Sequence, residues 1–276
     1  MNAFDRLLRR LALDREDSDT FIGGAGSGGV TEKNRLYGGL VLAQAAVAVA
    51  RTVDDSRPLH ALHANFLRPG RPDSDIRFAV QRTKTGRSFD TRTVTALQND
   101  KPILQMLASF APNTAAVAHQ TSAPDAPEPL TLPNRDVLRG RDPDRSAVID
   151  VRMCSPMVDR TPLPPRKQVW LKPTQPLPPD PVIHMAMLVY ATDRTLLSTA
   201  WRPHADQGQM AGASLDHSIW LHEAVNFNDW LLFDMESPSA RNGRGLVHGS
   251  LYQRDGLLLG NVTQQGTLTH RPWPTD

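Results

Sequence analysis

The architecture of this 276-residue chain is indicated by one segment, Tyr37-Gly-Gly-Leu-Val-Leu-Ala-Gln-Ala-Ala-Val-Ala-Val-Ala50. Its side chains are small and apolar on nearly every side, which is typical of a helix that other elements surround. Arg35 and Arg51 bracket the uncharged run, which is shorter than the ~20 residues that a bilayer requires. We therefore predict a buried helix in a soluble protein with no membrane partner.

Outside this segment, pairs of strands recur at a constant offset of 155 residues. Two sets of apolar residues alternate as half-buried strands do: Ile76, Phe78 and Val80, and then Leu231, Phe233 and Met235. Further on, the polar turns at Asn99-Asp100 and Arg254-Asp255 each precede a long apolar strand. The agreement of several places at one offset indicates an internal duplication.

The second copy has its own apolar helical segment, His184-Met-Ala-Met-Leu-Val-Tyr190. A central helix followed by antiparallel strands, twice over, predicts an α+β fold in which each sheet wraps around its helix. Fourteen of the 23 prolines lie between Pro124 and Pro181, where proline disfavours helices and central strands. We therefore predict copies at residues 1–117 and 148–276, joined by a proline-rich linker at 118–147.

Composition and terminal sequence exclude several classes of protein. Lys and Arg number 31 against 29 Asp and Glu, and the basic residues are not clustered, so we expect no nucleic-acid partner. The single cysteine, Cys154, excludes an internal disulfide and fits a reducing compartment, so we expect a cytoplasmic location. Acidic residues interrupt the N-terminal segment Met1–Leu13, which favours a short amphipathic helix over a signal peptide.

Four motifs of other enzyme classes are present only in incomplete form. Gly24-Ala-Gly-Ser-Gly-Gly29 matches a dinucleotide-binding string but lacks the acid that should follow about 20 residues later. Asp216-His217-Ser218 cannot act as a triad, because adjacent strand residues point to opposite faces. The pairs His60 with His63 and His217 with His222 lack a third metal ligand, so we expect no metal and no cofactor.

Together, several motifs resemble the type II acyl-CoA thioesterases, a family that includes bacterial thioesterase II and the peroxisomal acyl-CoA thioesterases. The resemblance covers nearly the whole chain and lies in Tyr37-Gly-Gly-Leu-Val-Leu-Ala-Gln44, Phe66-Leu-Arg-Pro-Gly70, Gly86-Arg-Ser-Phe-Asp-Thr-Arg92 to Ile103, Tyr190-Ala-Thr-Asp193, Ser214-Leu-Asp-His-Ser-Ile-Trp-Leu-His222, Gly245-Leu-Val-His-Gly249 and Gln264-Gln-Gly266. It implies a double hotdog fold, with two sheets that can join into one, and a homodimer or homotetramer.

The resemblance also implies a fatty acyl-CoA hydrolase of lipid metabolism, in which an acid, a hydroxyl and a glutamine hold a water. These correspond to Asp193, Ser214 and Gln264, although Gln265 is an alternative for the amide. Backbone N–H groups at Gly38 and Gly39, where the first helix begins, are candidates to bind the oxyanion. The residues 155 positions before Asp193, Ser214 and Gln264 are Gly38, Leu59 and Ser109. By this count the first copy lacks the three polar groups.

Two alternatives remain open at this point. One is a non-catalytic acyl-CoA or lipid-binding module that retains the hotdog cavity without turnover. The other is an enoyl-CoA hydratase-like enzyme, because Asp55 and His60 have the D-x4-H spacing of hydratases that share this fold. Pro58 lies between these two residues, in a segment that joins a helix to a strand rather than lying along a helix.

Overall fold

The computed structural model describes residues 1–24, 35–114, 117–142 and 148–273. The helices are α1 (Ala3–Leu11), α2 (Gly38–Ala50), α3 (Arg135–Leu138), α4 (Pro181–Thr192) and α5 (Ser198–Trp201), with 3₁₀ turns at Pro129–Thr131 and Arg202–Gln207. The strands are β1 (Asp14–Arg15), β2 (Thr20–Gly23), β3 (Leu59–Phe66), β4 (Ile76–Thr85), β5 (Asp90–Gln98), β6 (Lys101–Phe110), β7 (Ile149–Met153), β8 (Arg166–Pro173), β9 (Gln209–Met210), β10 (Asp216–Leu221), β11 (Leu231–Arg241), β12 (Arg244–Gln253), β13 (Leu258–Thr267) and β14 (His270–Arg271).

Twelve strands form one continuous antiparallel sheet, in the order β1-β2-β4-β5-β6-β3-β10-β13-β12-β11-β8-β7. The two copies meet at its centre, where β3 pairs with β10. The predicted α+β double hotdog is confirmed, and the two sheets are joined into one. The proline-rich segment contributes β7, at one edge of the sheet, and β8, which pairs with both β7 and β11.

Two buried helices, α2 and α4, pack against each other and against this sheet. Leu42 and Val47 of α2 and Leu188 and Val189 of α4 have no exposed surface. Each such side chain contributes about 1.5–3 kcal/mol to folding by leaving water, which explains why these helices are apolar all round. The short helix α1 packs Phe4, Leu7 and Leu11 into the same core, as its spacing predicts.

The register between β3 and β10 reveals the symmetry of the duplication. His63 lies opposite Ser218, its position in the second copy, and His63 Nδ1 lies 3.1 Å from Ser218 Oγ. On either side of this pair, Ala64 opposes His217 and Leu62 opposes Ile219. A pseudo-twofold axis therefore passes between His63 and Ser218.

Two steps of the superposition expected from the sequence are wrong. The helices do not share the offset of the strands, because Asp193 caps the C-terminus of α4 and its counterpart at the end of α2 is Arg51, not Gly38. The connection after β12 is longer than that after β5, so the counterpart of Gln264 is Ala108 rather than Ser109. Leu59 remains the counterpart of Ser214, and the first copy still lacks the carboxylate, the alcohol and the amide.

Candidate active site

Three polar side chains from distant parts of the second copy meet in one hydrogen-bonded cluster. Ser214 Oγ donates to Asp193 Oδ1 over 3.1 Å. Gln264 Nε2 donates to the same carboxylate oxygen over 2.6 Å and to Ser214 Oγ over 2.9 Å. Gln264 is fully buried, whereas Asp193 and Ser214 are half-buried. We call these three residues the Asp–Ser–Gln cluster.

Each member of the cluster is held by a different element. Asp193 is the residue at which α4 ends. Ser214 lies just before β10 and forms a backbone bridge with Gly266, while Gln264 projects inward from β13. The pairing of the Ser214 segment with β13 brings the alcohol and the amide together, and the packing of α4 on the sheet adds the carboxylate.

The N-terminus of α2 lies against the cluster. A Cβ placed on Gly38 would lie 3.0 Å from Asp193 Oδ2, and one on Gly39 would lie 2.8 Å from the carbonyl oxygen of Tyr190. The absence of side chains at these glycines therefore allows the start of α2 to approach the end of α4. The N–H groups of a first helical turn have no intrahelical acceptor and favour negative charge, so they are suited to bind an oxygen anion here.

Tyr37 links α2 to α4 next to the carboxylate of Asp193. Its hydroxyl donates to the carbonyl oxygen of Tyr190 over 2.9 Å, and the two rings meet edge to face with centroids 5.0 Å apart. Burial, followed by the negative charge of Asp193, raises the pKa of the Tyr37 phenol well above its usual value. The phenol is therefore neutral at physiological pH and acts here as a hydrogen-bond donor.

His217 is a residue whose place in this site the sequence analysis did not identify. It is fully buried, and its Nε2 lies 3.1 Å from Thr192 Oγ1. Since Thr192 Oγ1 donates to the carbonyl oxygen of Val189, the imidazole donates from Nε2 and leaves Nδ1 as an acceptor. Ser218 and Thr263 pair across the strands, so His217 and Gln264, the next residues along, are neighbours on the inner face.

Two buried acceptors lie in this part of the site without a hydrogen-bond partner among the described residues, namely His217 Nδ1 and Gln264 Oε1. Burial lowers the pKa of His217 to about 4, although the nearby charge of Asp193 acts in the opposite direction. The imidazole is therefore neutral at neutral pH. In the sequence, the only signal for its position is that it precedes Ser218 on a strand, where neighbouring side chains point to opposite faces. Ser218 contacts His63 on the outer face, so His217 points inward.

The other sequence candidates lie elsewhere. Gln265 is on the opposite face of β13, and its backbone N–H donates to Asp216 Oδ1 over 2.7 Å. Asp55 is exposed in the connection between α2 and β3, while His60 Nε2 lies 2.8 Å from Ser109 Oγ. Of the glycine-rich string, all but Gly24 falls outside the described residues.

Neither a metal cluster nor a membrane helix is found in the part of the chain that the structure describes. No three His, Cys, Asp or Glu side chains there are grouped so that they could hold a metal ion. None of the described helices has the length and apolar content needed to cross a membrane.

Comparison with known proteins identifies the family. Residues 153–267 match the family profile described as acyl-CoA thioesterase, and residues 28–111 match that of the acyl-CoA thioesterase N-terminal domain. Human acyl-coenzyme A thioesterase 8 is 34% identical over 260 residues, covering 86% of this chain and 82% of the relative. Acyl-CoA thioesterase 2 of Haemophilus influenzae is 29% identical, covering 96% and 97%.

A solved structure agrees with these sequence relatives. The acyl-CoA thioesterase II of Mycobacterium marinum superposes with a TM-score of 0.81 at 33% identity, covering 96% of this chain and 98% of that one. The similarity to these relatives, in sequence and in structure, extends over both copies of this chain rather than over one alone. The chain therefore belongs to the type II acyl-CoA thioesterases, a family of thioester hydrolases.

Proposed function

We propose that the protein hydrolyses fatty acyl-CoA thioesters to free fatty acid and coenzyme A by direct attack of a water molecule. The observation that carries the proposal is the Asp–Ser–Gln cluster, whose members contact one another at 2.6–3.1 Å beside the start of α2. A thioester carbonyl is electrophilic and its thiolate leaves readily. Hydrolysis therefore requires chiefly an oriented water and stabilisation of the oxyanion.

In this mechanism Asp193 is the general base. Oδ1 is occupied by the donors of Ser214 and Gln264, while Oδ2 faces Gly38 and is free of them. Water that donates to the carboxylate loses a proton to it as its oxygen bonds to the thioester carbon. Gln264 Oε1 has no partner among the described residues and is available to accept the second hydrogen of that water.

The oxyanion that forms is assigned to the backbone N–H groups at Gly38 and Gly39. They lie at the positive end of the α2 dipole, and their lack of side chains permits close approach. Collapse of the tetrahedral intermediate breaks the C–S bond, and the thiolate takes the proton that Asp193 holds. General-base assistance of this kind accelerates a reaction by ~10² to 10⁴.

Attack by Ser214 itself is the less favourable route. Its hydroxyl donates to a carboxylate rather than to an imidazole, and the buried His217 is engaged with Thr192. A serine without a matched base is a poor nucleophile. Rapid-quench kinetics are therefore expected to give no acyl-enzyme burst, and a burst of thiol with stoichiometry near one would favour the covalent route.

The proposal is tested by release of free thiol from acyl-CoAs of graded chain length, followed with a thiol reagent. Continuous release that depends on protein concentration supports the hydrolase. Saturable acyl-CoA binding without thiol release would instead favour the lipid-binding module. An enoyl-CoA substrate in the same series, monitored by its absorbance, tests the hydratase alternative, which depends on Asp55 and His60.

A further inference from the structure

A cavity with several cationic side chains in its wall lies on the inner side of β7 and β8. It has a volume of about 90 Å³, is partly open to solvent, and lies between β7, β8, α3 and the segment that follows Asp193. Four cationic side chains line it, together with apolar residues such as Met153 and Val169: Arg135, Arg139, Lys167 and Arg202. No acidic residue is among the described residues that line it.

Lys167 is one of the two most deeply buried of these cations, with Arg202. Its side chain projects inward from β8, and the residue is 5% exposed. Nζ donates to the carbonyl oxygen of Thr195 and, over 2.6 Å, to Ser198 Oγ. In its protonated form the amine has three N–H donors, so an anion that keeps Lys167 protonated can accept the third. Burial, followed by the positive charges of Arg135 and Arg202, holds the pKa of Lys167 well below its usual range.

Two arginines face the same space with donors to spare. Arg202 is 3% exposed, and its guanidinium donates to the carbonyl oxygens of Pro164 and Pro156 over 3.0 and 2.8 Å. Arg135 makes no side-chain hydrogen bond or ion pair with any described residue. The adjacent carboxylate of Asp136 is 3.5 Å from Arg194 instead.

Like charges that are buried together are unfavourable, because each loses hydration and repels the others, and the nearby carboxylate of Asp136 offsets this only in part for Arg135. A bound anion removes both penalties, since it supplies acceptors for the remaining N–H groups and neutralises the cluster. Guanidinium and ammonium groups that converge on one point are the usual ligands of phosphate and carboxylate oxygens. The cavity, with its apolar walls, has room for one small anion rather than for an extended molecule with several charges.

We propose that this cavity is a binding site for a small oxyanion, with phosphate as the simplest occupant and Arg135, Lys167 and Arg202 as its ligands. Arg139 and Pro156, both exposed, lie at its entrance. Thr195 and Ser198, which hold Lys167, come directly after Asp193 in the chain. An anion bound to Lys167 would therefore be linked, through Thr195 and Ser198, to the segment that follows Asp193, the proposed general base.

The test is titration of the intact protein with inorganic phosphate at constant ionic strength, followed by calorimetry and by the temperature of unfolding. Phosphate is expected to bind and to raise the unfolding temperature beyond the effect of chloride. Arg135→Gln should weaken phosphate binding by about tenfold or more, because one charge-assisted contact is lost. Arg135 is only half-buried, so this variant keeps the test decisive even where Lys167→Met fails to fold.

The matched control is Arg166→Gln, which neutralises the neighbour of Lys167 on the opposite face of β8. Arg166 is exposed and lies 3.6 Å from Glu236. This variant is expected to bind phosphate as the unmodified protein does. Absence of phosphate binding, or equal affinity in Arg135→Gln, overturns the site.

Two sources of the phosphate are distinguished by a further arm of the experiment. If coenzyme A displaces inorganic phosphate, and phosphate raises KM for acyl-CoA at constant kcat, the site holds a phosphate of the substrate. If phosphate binds alongside coenzyme A, the site takes a free oxyanion. Both results support the site, and because binding is measured without turnover, failure of the hydrolytic mechanism would not be mistaken for failure of this inference.

Discussion

Asp193 Oδ1 accepts hydrogen bonds from both the Ser214 hydroxyl and the Gln264 amide. The other carboxylate oxygen, Oδ2, is directed at the start of α2. Asp193→Asn keeps the size of the side chain but removes the proton acceptor. We expect kcat to fall by ~10² to 10⁴ with little change in KM, because the carboxylate acts in the transition state. Thiol release measures both constants.

The matched control for this substitution is Asp55→Asn, in the exposed turn after the other central helix. It should leave kcat for thioester hydrolysis unchanged. An Asp193→Asn enzyme with undiminished kcat would refute the general-base role.

His217 makes the stability of the protein depend on pH. Its folded-state pKa of about 4 is below the usual value for histidine, so between these values the unfolded chain binds a proton that the folded protein does not. Stability is therefore complete above about pH 6.5 and declines as the pH falls towards 4, by roughly 3 kcal/mol. Urea unfolding across this range measures the decline.

The variant that isolates this effect is His217→Gln, which removes the titrating group but retains an amide for Thr192. Its acid decline is expected to be smaller by roughly the same amount. His248→Gln, on the exposed face of β12, is the control and should keep the full decline. An identical decline in His217→Gln would show that other groups cause it.

At the level of elements, the site depends on how closely α2 approaches α4. A methyl group on Gly39 would lie 2.6 Å from the Tyr37 ring and 2.8 Å from the carbonyl oxygen of Tyr190. We expect Gly39→Ala to cost about 1–3 kcal/mol of stability through overpacking, and to lower kcat because α2 is displaced from Asp193. Denaturant unfolding and thiol release check the two effects.

Gly24→Ala serves as the control, since a methyl group there would meet no atom of the described residues within 4 Å. It should change neither stability nor kcat appreciably. If Gly39→Ala matched it in both, close helix contact would not be a requirement of the site.

At the level of the whole molecule, the continuous sheet and the paired helices predict that both copies unfold together. All five tryptophans lie in the second copy, the first of them at Trp170, so their fluorescence reports mainly on that copy, although Trp220 also contacts His63 of the first copy. Leu62→Ala in the buried face of β3 should cost ~2–5 kcal/mol. We expect the midpoint seen by tryptophan fluorescence to shift as far as that seen by circular dichroism.

Leu107→Ala, on the exposed face of β6 in the same copy, provides the comparison. It should shift both midpoints by much less. A fluorescence midpoint that ignores Leu62→Ala would mean that the copies unfold separately.

The agreement between sequence and structure depends on how local each signal is. The apolar segments of α2 and α4 and the alternating strands β4 and β11 were predictable, because burial and periodicity act within a few residues. The offset of the helices was not predictable, because a connection can change length without altering either helix. For the same reason the first-copy counterpart of Gln264 was misplaced by one residue, which in a strand changes the face.

The amino-acid sequence by itself determined the duplicated α+β fold, the family, and which carboxylate, alcohol and amide are candidates for the chemistry; their roles stay a prediction. Only the tertiary structure decided that Asp193 Oδ2 faces Gly38, that His217 lies beside Gln264, and that Lys167 shares a cavity with arginines. Propensity and motif are properties of neighbouring residues. Contacts between distant segments depend instead on strand register and helix packing, which arise only when the whole chain is folded.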